Sequence, residues 1–306
     1  MDQIRQNAVK EMIASVGETK WNENMEFLQV LISSVKNHKI NQHPIVFAMN
    51  ACEYSLQEMQ TMHMEYRAIV HIFTDALLMA QYQSKKVENV MKPGSKAYAR
   101  FLLTLNTLDE FGFHYKIGEP CYFQGTPQRS HLILFEELMT DMSISDEDRQ
   151  EFVPSPVTQK LKECFLAAYD DYPLLLTLLA IAEEIVMIFS PVMRLNTGAL
   201  GIPVQEGYYQ VHGVSEDEEN DACDDFHQND LWLILAQGAG GYDQSDLLQN
   251  SLNFIDLWED FWSQDFTKNK IKSMQKIAHR ETAIHENMEE QVSEQVSEQE
   301  KELVVS

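Results

Sequence analysis

Apolar residues recur at three- and four-residue intervals through most of the chain, and this spacing limits what the chain can fold into. The spacing places apolar side chains on one face of an α-helix, and the alternation typical of β-strands is scarce. Turn residues separate the segments. The pattern predicts an all-α, bundle-like domain of about seven to eight helices. The clearest helical segments are Met25 to Val35, Met59 to Tyr82, Ser95 to Leu108, His131 to Met142 and Val157 to Tyr169.

Composition and charge exclude several classes of partner. The chain has 306 residues, of which 44% are hydrophobic, and its net charge is −25. Because phosphate binding draws on clustered Lys and Arg, this charge argues against nucleic acid, and it disfavours anionic membrane surfaces. The most apolar stretch, Pro173 to Phe189, is short for a membrane span and contains Glu183 and Glu184. We therefore expect neither a nucleic acid nor a membrane as partner.

The chain divides into a long helical part and a polar tail. Residues 1–266 are predicted to form a single helical domain, whereas residues 267–306 are polar and acidic, lack aromatics and are predicted to carry no chemistry. The four cysteines are scattered and no pair has CxxC spacing, which indicates neither a disulfide framework nor a zinc knuckle. The amino-terminal residues lack the apolar core of a secretory signal. A cytoplasmic protein is the expectation.

The stretch from Gly207 to Leu235 concentrates imidazole and carboxylate groups beside helix-forming sequence. Asp224 and His227 are three residues apart and would lie on one helical face, and His212 precedes them. Imidazoles and carboxylates that converge at a core favour iron or manganese. For His212 alone, a buried histidine that satisfies a hydrogen bond is the simpler interpretation. Most of the other carboxylates there fit a solvated loop or helix start.

Further carboxylates lie inside apolar helical sequence, where an ionised group is costly unless it is paired or bound to a cation. Glu65 is one, and His71 follows it by less than two helical turns. The adjacent pair Glu183 and Glu184 is another. Neighbours on a helix differ by about 100° in direction, so only one of the pair can face a given core. The sequence does not choose between them.

These fragments, in this order, resemble the haem-oxygenase-like diiron oxidases and oxygenases, which include the chlamydial death-domain-associating protein and alkene-forming fatty acid decarboxylases. The resemblance covers roughly His43 to Leu235. Each fragment is short, and their shared order carries the resemblance. The fragments are Glu65-Tyr66 with Phe73, Asp109-Glu110-Phe111-Gly112, Ser130-His131-Leu132-Ile133-Leu134-Phe135, Glu183-Glu184, Tyr208-Tyr209-Gln210-Val211-His212 and Asp224-Asp225-Phe226-His227.

The resemblance implies a haem-oxygenase-like helical bundle that holds iron, with two ions or manganese as further options. The activity it implies is a non-haem iron oxidase or oxygenase that uses O₂ on a small, partly apolar organic substrate. Glu110 and His131 would then be supporting residues, with Glu110 and His71 also kept as further candidate ligands. The implied metal ligands are Glu65, Glu183 or Glu184, His212, Asp224 and His227.

The chain departs from the family pattern at two places. The family's first-helix histidine falls seven residues after the glutamate, which here is Ile72, and His71 is one position off. That shift turns the side chain by about 100°, away from the core unless the helix contains a π-bulge. The last motif is also longer by eight residues. An alternative ligand set without the insertion is His212, Glu216 and Glu219.

Two other functions remain open. A cofactor-free, thiaminase-type hydrolase of C–N bonds in the same superfamily would need a cysteine nucleophile in the core, such as Cys164 or Cys52. A non-catalytic protein with a degenerate metal site would instead use its acidic surface to bind a basic partner. The substrate cannot be read from the sequence, and a homodimer is compatible with it.

Overall fold

The computed structural model describes residues 3–115, 123–212, 223–240 and 242–264. Within these ranges, the side chains of residues 114, 115, 123, 124 and 223–226 are not described. The predicted tail, residues 267–306, lies outside the described residues.

Helices make up nearly all of the regular structure in the described ranges. They are α1 (Gln3–Val16), α2 (Glu18–Lys36), α3 (Pro44–Asn50), α4 (Leu56–Gln83), α5 (Lys96–Glu110), α6 (His131–Asp141), α7 (Asp146–Glu151), α8 (Pro156–Ala168), α9 (Tyr172–Ala199), α10 (Tyr208–Val211), α11 (Cys223–Gly238) and α12 (Gln244–Trp262). Short 3₁₀ turns span Lys39–Gln42, Ser84–Asn89 and Pro127–Arg129.

The all-α prediction is confirmed. The five segments with clear periodicity lie in α2, α4, α5, α6 and α8, apart from one or two terminal residues. The helix count of seven to eight was too low: the described ranges contain twelve helices, three of them with seven residues or fewer. Helices this short complete barely two turns, so they leave no readable period in the sequence.

Helix α9 is the central element, and α4, α11 and α12 pack against it. It is long and apolar enough to cross a membrane, but most of its apolar stretch is buried inside the protein, as in the core helix of a bundle. Asp171 begins the helix, and its carboxylate accepts a hydrogen bond from the Leu174 amide. Helix α4 begins in the same way with a capping box between Ser55 and Glu58.

A two-stranded hairpin connects α5 to α6. Strand β1 (Phe113–Tyr115) pairs antiparallel with β2 (Phe123–Gly125), and Phe113 lies opposite Gly125. The sequence did not predict this hairpin, because strands of three residues are too short to show alternation. The hairpin folds the chain back on itself, so Glu110 at the end of α5 and His131 at the start of α6 lie side by side.

Close backbone packing at the base of the hairpin requires two glycines. A Cβ atom on Gly112 would lie 2.5 Å from the Arg129 carbonyl carbon, and Gly112 also has φ +78°. A Cβ atom on Gly125 would lie 2.3 Å from the Gly112 carbonyl oxygen. Neither backbone can move away cheaply, so both positions exclude a side chain.

We expect Gly112→Ala to destabilise the protein more than Gly94→Ala. Both glycines have positive φ, but a Cβ on Gly94 would meet nothing within 4 Å. Gly94→Ala should therefore cost only the backbone strain, about 1–2 kcal/mol. The collision at Gly112 should add about 1–3 kcal/mol. Chemical denaturation measures both free energies of unfolding, and equal losses would contradict the proposed close packing.

Candidate metal centre

Three histidines and three carboxylates from five helical elements converge in the interior. Asp109 and Glu110 end α5, His131 begins α6, Glu183 lies in the middle of α9, His212 follows α10, and His227 lies in α11. Five of the six residues are at most 6% exposed, and only Asp109 is partly accessible, with 18% of its side chain exposed.

The carboxylates and imidazoles alternate in space. The Nδ1 atom of His131 lies 3.1 Å from a Glu110 oxygen, and its Nε2 atom lies 3.7 Å from Asp109. The same Asp109 oxygen lies 3.6 Å from Nε2 of His227. The other nitrogen of His227 is 3.9 Å from Glu183. Asp109 therefore lies between two imidazoles, each of which also faces a buried glutamate.

Glu110, His131 and His212 form the tightest group among the described residues. Each offers one ligand atom, and these atoms all lie within 4.8 Å of one another. The rings of His131 and His212 stand nearly perpendicular, at 79°, with centroids 4.5 Å apart. Two imidazoles and one carboxylate at this separation have the composition of a two-histidine, one-carboxylate metal site.

The electrostatic surroundings keep Glu110 ionised. Burial by itself raises the pKa of the Glu110 carboxyl, but the nearby imidazoles of His131, His212 and His227 have the larger combined effect. The pKa of Glu110 is therefore lower than its usual value. A buried carboxylate that stays anionic is suited to bind a cation.

The structure distinguishes Glu183 from Glu184, which the sequence could not do. Glu183 is 2% exposed and faces His227 and the site. Glu184 points elsewhere: it accepts a hydrogen bond from the Gln228 side chain and lies 3.9 Å from the Lys36 ammonium. Because neighbouring side chains on a helix diverge by about 100°, the packing of α9 against α11 decides between them.

Glu65 and His71 do not join the cluster, because other contacts hold them. Both carboxylate oxygens of Glu65 lie 3.1 Å from the Ser155 backbone nitrogen and accept its hydrogen bond, just before α8. His71 is exposed on the opposite face of α4 and contacts Glu136 at 2.7 Å. Ile72 occupies the buried position next to it. The one-residue displacement does turn this histidine away from the core.

Most of the acidic stretch between His212 and Asp224 lies outside the described residues. Glu216 and Glu219 lie outside the described residues, within 213–222. Asp224 belongs to α11, but its side chain is not described, so its assignment as a ligand stays a prediction.

The sequence offers Glu110 as a supporting residue or a further candidate ligand and His131 as a supporting residue only, and it gives Asp109 no role. All three belong to the Asp-Glu-x-Gly and Ser-His fragments, and the contact between those fragments depends on the hairpin. The signal that could have found them was the pair of glycines in this region, Gly112 and Gly125, because glycines permit close chain approach.

An apolar pocket adjoins the cluster. Its cavity volume is about 30 Å³, and the pocket is partly open to solvent. Among the described cysteines, Cys52 is exposed and Cys164 is half-buried, and neither lines this pocket. Its lining combines Glu110, His131, Glu183 and His212 with Tyr66, Ile69, Val70, Phe73, Ala182, Val186, Tyr208 and Trp258.

Short helix α10 carries His212 to the site, and two contacts hold this helix in place. The Tyr209 hydroxyl lies 2.6 Å from Nε2 of His63 on α4. The Ser190 hydroxyl on α9 donates a hydrogen bond to the His212 carbonyl. The first contact anchors α10 to α4 and the second to α9, so the position of His212 depends on both long helices.

No protein-family model and no curated protein matches the chain. Among solved structures, the chain is similar to a TenA homolog from Pseudomonas syringae pv. tomato str. DC3000. The identity is 13%, the TM-score is 0.49, and the match covers 79% of this chain and 91% of that one. At this level of similarity nothing about the site or its chemistry is transferred.

We expect Glu65→Gln to lower stability without changing metal binding. The substitution replaces a charged acceptor of the Ser155 amide at the start of α8 with a neutral one, which should cost about 1 kcal/mol in the free energy of unfolding. Glu137→Gln removes an exposed charge from α6 and is the matched control, expected within about 0.5 kcal/mol of the parent protein. Chemical denaturation checks the stabilities. A loss of bound metal in Glu65→Gln would instead make Glu65 a ligand.

Proposed function

We propose that the chain is a non-haem metal enzyme whose ligand core is Glu110, His131 and His212, with iron as the metal. One observation supports this proposal above the others: two imidazoles and one buried, anionic carboxylate with ligand atoms within 4.8 Å of one another. Three protein ligands of this kind leave open positions on the metal, as in non-haem iron oxygenases. Bound iron(II) would supply the ability to react with O₂.

The surrounding residues orient this ligand core. Asp109 lies beside the imidazole nitrogen of His131 that faces away from Glu110 and also beside His227. A carboxylate in that position holds an imidazole in one orientation and increases its basicity. Glu183 and His227 are a buried pair at 3.9 Å and could complete a second ion site. Two ions and manganese both stay predictions.

The adjoining pocket suggests the kind of substrate. Aliphatic and aromatic side chains from α4, α9 and α12 form most of its lining, and no Lys or Arg is among the lining residues. Such a pocket excludes water from the site and favours a small, apolar, uncharged organic molecule. We therefore propose an oxidase or oxygenase that acts on a molecule of this class.

A thiaminase-type hydrolase is the second candidate. The similar solved structure reported above is named a TenA homolog. A cysteine nucleophile would have to lie in the pocket, but Cys52 and Cys164 do not line it, and the side chains of Cys121 and Cys223 are not described. Zinc hydrolases also use two histidines and a glutamate, so zinc must be included in the metal analysis. Stoichiometric zinc would favour a metal-dependent hydrolase over both the iron oxidase and the cofactor-free, thiaminase-type hydrolase.

A non-catalytic acidic protein is the third candidate. It predicts that the protein binds no metal after anaerobic reconstitution. The cytoplasmic location and the homodimer stay predictions.

We expect Glu110→Ala, His131→Ala and His212→Ala each to lower iron affinity by more than about 100-fold, because loss of an outer-shell partner alone costs 10–100-fold. His227→Ala should cost about 10–100-fold if His227 only supports the ligands. The exposed His71→Ala is the matched control and should bind iron like the parent protein. Metal analysis after anaerobic reconstitution with iron(II), manganese(II) or zinc measures these affinities, and circular dichroism checks folding. Unchanged iron content in all three ligand variants would sink the proposal.

We also expect the iron(II) protein to bind nitric oxide, because three protein ligands leave open metal positions. Electron paramagnetic resonance (EPR) spectroscopy detects the adduct, and the His71→Ala protein should give the same signal. An iron(II) protein that gives no adduct would mean that the metal is fully coordinated and cannot bind O₂.

A further inference from the structure

Tyr209 and His63 form a hydrogen-bonded pair in the core, close to the candidate metal centre. The Tyr209 hydroxyl lies 2.6 Å from His63 Nε2, and the two side chains are 1% and 0% exposed. Two aromatic rings flank the imidazole: Phe135 stacks on it, and Tyr209 meets it edge-on. The proposed ligand core does not use either member of this pair.

The direction of the hydrogen bond follows from the second imidazole nitrogen. His63 Nδ1 lies 2.7 Å from the Met59 carbonyl oxygen, which can only accept, so Nδ1 carries the proton. Burial lowers the pKa of His63 to about 4, so the imidazole is neutral near neutral pH and its Nε2 is an acceptor. Tyr209 therefore donates to His63. Burial raises the pKa of the Tyr209 phenol, so its proton stays in place while the side chain is reduced.

A continuous series of aromatic contacts leads from this pair to the ligand core. The ring centroids of Tyr209 and Tyr208 are 5.7 Å apart. Those of Tyr208 and His212 are 4.5 Å apart, and His212 lies equally close to His131. Electron transfer over such short steps needs no movement of the chain.

We propose that Tyr209, with His63 as its proton acceptor, is a redox-active side chain that can give one electron to an oxidised metal centre. The last part, transfer to the metal, rests on the proposed function. The proposal that Tyr209 can be oxidised is independent of the proposed function, because any one-electron oxidant of sufficient potential can test it.

The step balances within the pair and its oxidant. Tyr209 loses one electron, which reduces the oxidant by one electron, and its phenol O–H bond breaks. The proton forms a new N–H bond at His63 Nε2, so a neutral tyrosyl radical and an imidazolium remain, joined by the same hydrogen bond in reverse. His63 keeps its Nδ1 proton on the Met59 carbonyl throughout. Without an acceptor, the oxidised phenol would have to keep its proton as a radical cation, which is a far stronger acid than an imidazolium, so the positive charge is held more favourably on His63.

Tyr172 provides a matched control within the same chain. It is buried like Tyr209, at 1% exposure, and burial raises its pKa as well. Its hydroxyl has no hydrogen-bond partner among the described residues. Tyr172→Phe and Tyr209→Phe therefore remove the same atom from similar surroundings, and only Tyr209→Phe removes a tyrosine with a proton acceptor.

The test begins with metal-free full-length protein, oxidised by a photogenerated ruthenium(III) polypyridyl complex and followed by EPR and transient absorption. We expect a buried tyrosyl radical that accepts a hydrogen bond from His63 in the parent protein and in Tyr172→Phe. This radical should be absent from Tyr209→Phe, in which exposed tyrosines such as Tyr82 can still be oxidised. In His63→Gln the glutamine can accept the hydrogen bond but not the proton, so the radical should form roughly 100-fold more slowly. If the same buried, hydrogen-bonded radical persists in Tyr209→Phe, or forms at the parent rate in His63→Gln, the proposal is overturned.

Two measurements keep the test independent of folding and of the metal. High-field EPR of the unmutated protein reports whether the phenoxyl oxygen accepts a hydrogen bond, as expected for Tyr209 and not for Tyr172. Freeze-quenched iron(II) protein exposed to O₂ should show the same radical. If the metal-free protein forms the Tyr209 radical but the protein binds no iron, the proposed function is rejected and the proposal of a redox-active Tyr209–His63 pair stands. Iron that reacts with O₂ without a Tyr209 radical would reject electron transfer to the metal.

Discussion

The burial of ionisable groups at one point between the helices is the constraint on which the rest of the structure depends. Glu110, Glu183 and three imidazoles are removed from water there, and a charge in such surroundings is costly unless partners or a cation compensate it. The imidazoles supply part of that compensation, as the lowered pKa of Glu110 records. An imidazole compensates the charge of a carboxylate only while it is protonated. A bound metal ion would neutralise the carboxylates at any pH at which it stays bound.

Each element near this point serves to bring one of these groups inward. The close backbone contact between Gly112 and Arg129 joins the end of α5 to the start of α6, which places Glu110 against His131. The central helix α9 supplies Glu183, and the short helix α10 supplies His212 only because α4 and α9 hold it. Rigid supports of this kind are what a metal site needs, since misplaced ligands lower both affinity and reactivity.

Helices could be predicted from the sequence because their period is a local property, and the five clearest segments are all present. The site could be predicted only in part. Glu183 lies 3.9 Å from His227, but the choice of Glu183 over Glu184 depends on how α9 packs. Glu65 follows the family pattern in sequence, yet it accepts the Ser155 amide hydrogen bond, and that partner is ninety residues away. No local pattern contains such a contact.

The acidic stretch between His212 and His227 contains charges that are adjacent in sequence, whereas the charges that meet in space come from five separate elements. A run of neighbouring carboxylates repels itself and prefers water, so density along the chain is a poor guide to a buried site. Isolated carboxylates and histidines within apolar sequence are better guides, because each must find a partner when the chain folds. By this criterion Glu110, His131 and His63 were the informative residues: the first two form the ligand core with His212, and the third holds Tyr209, which positions α10.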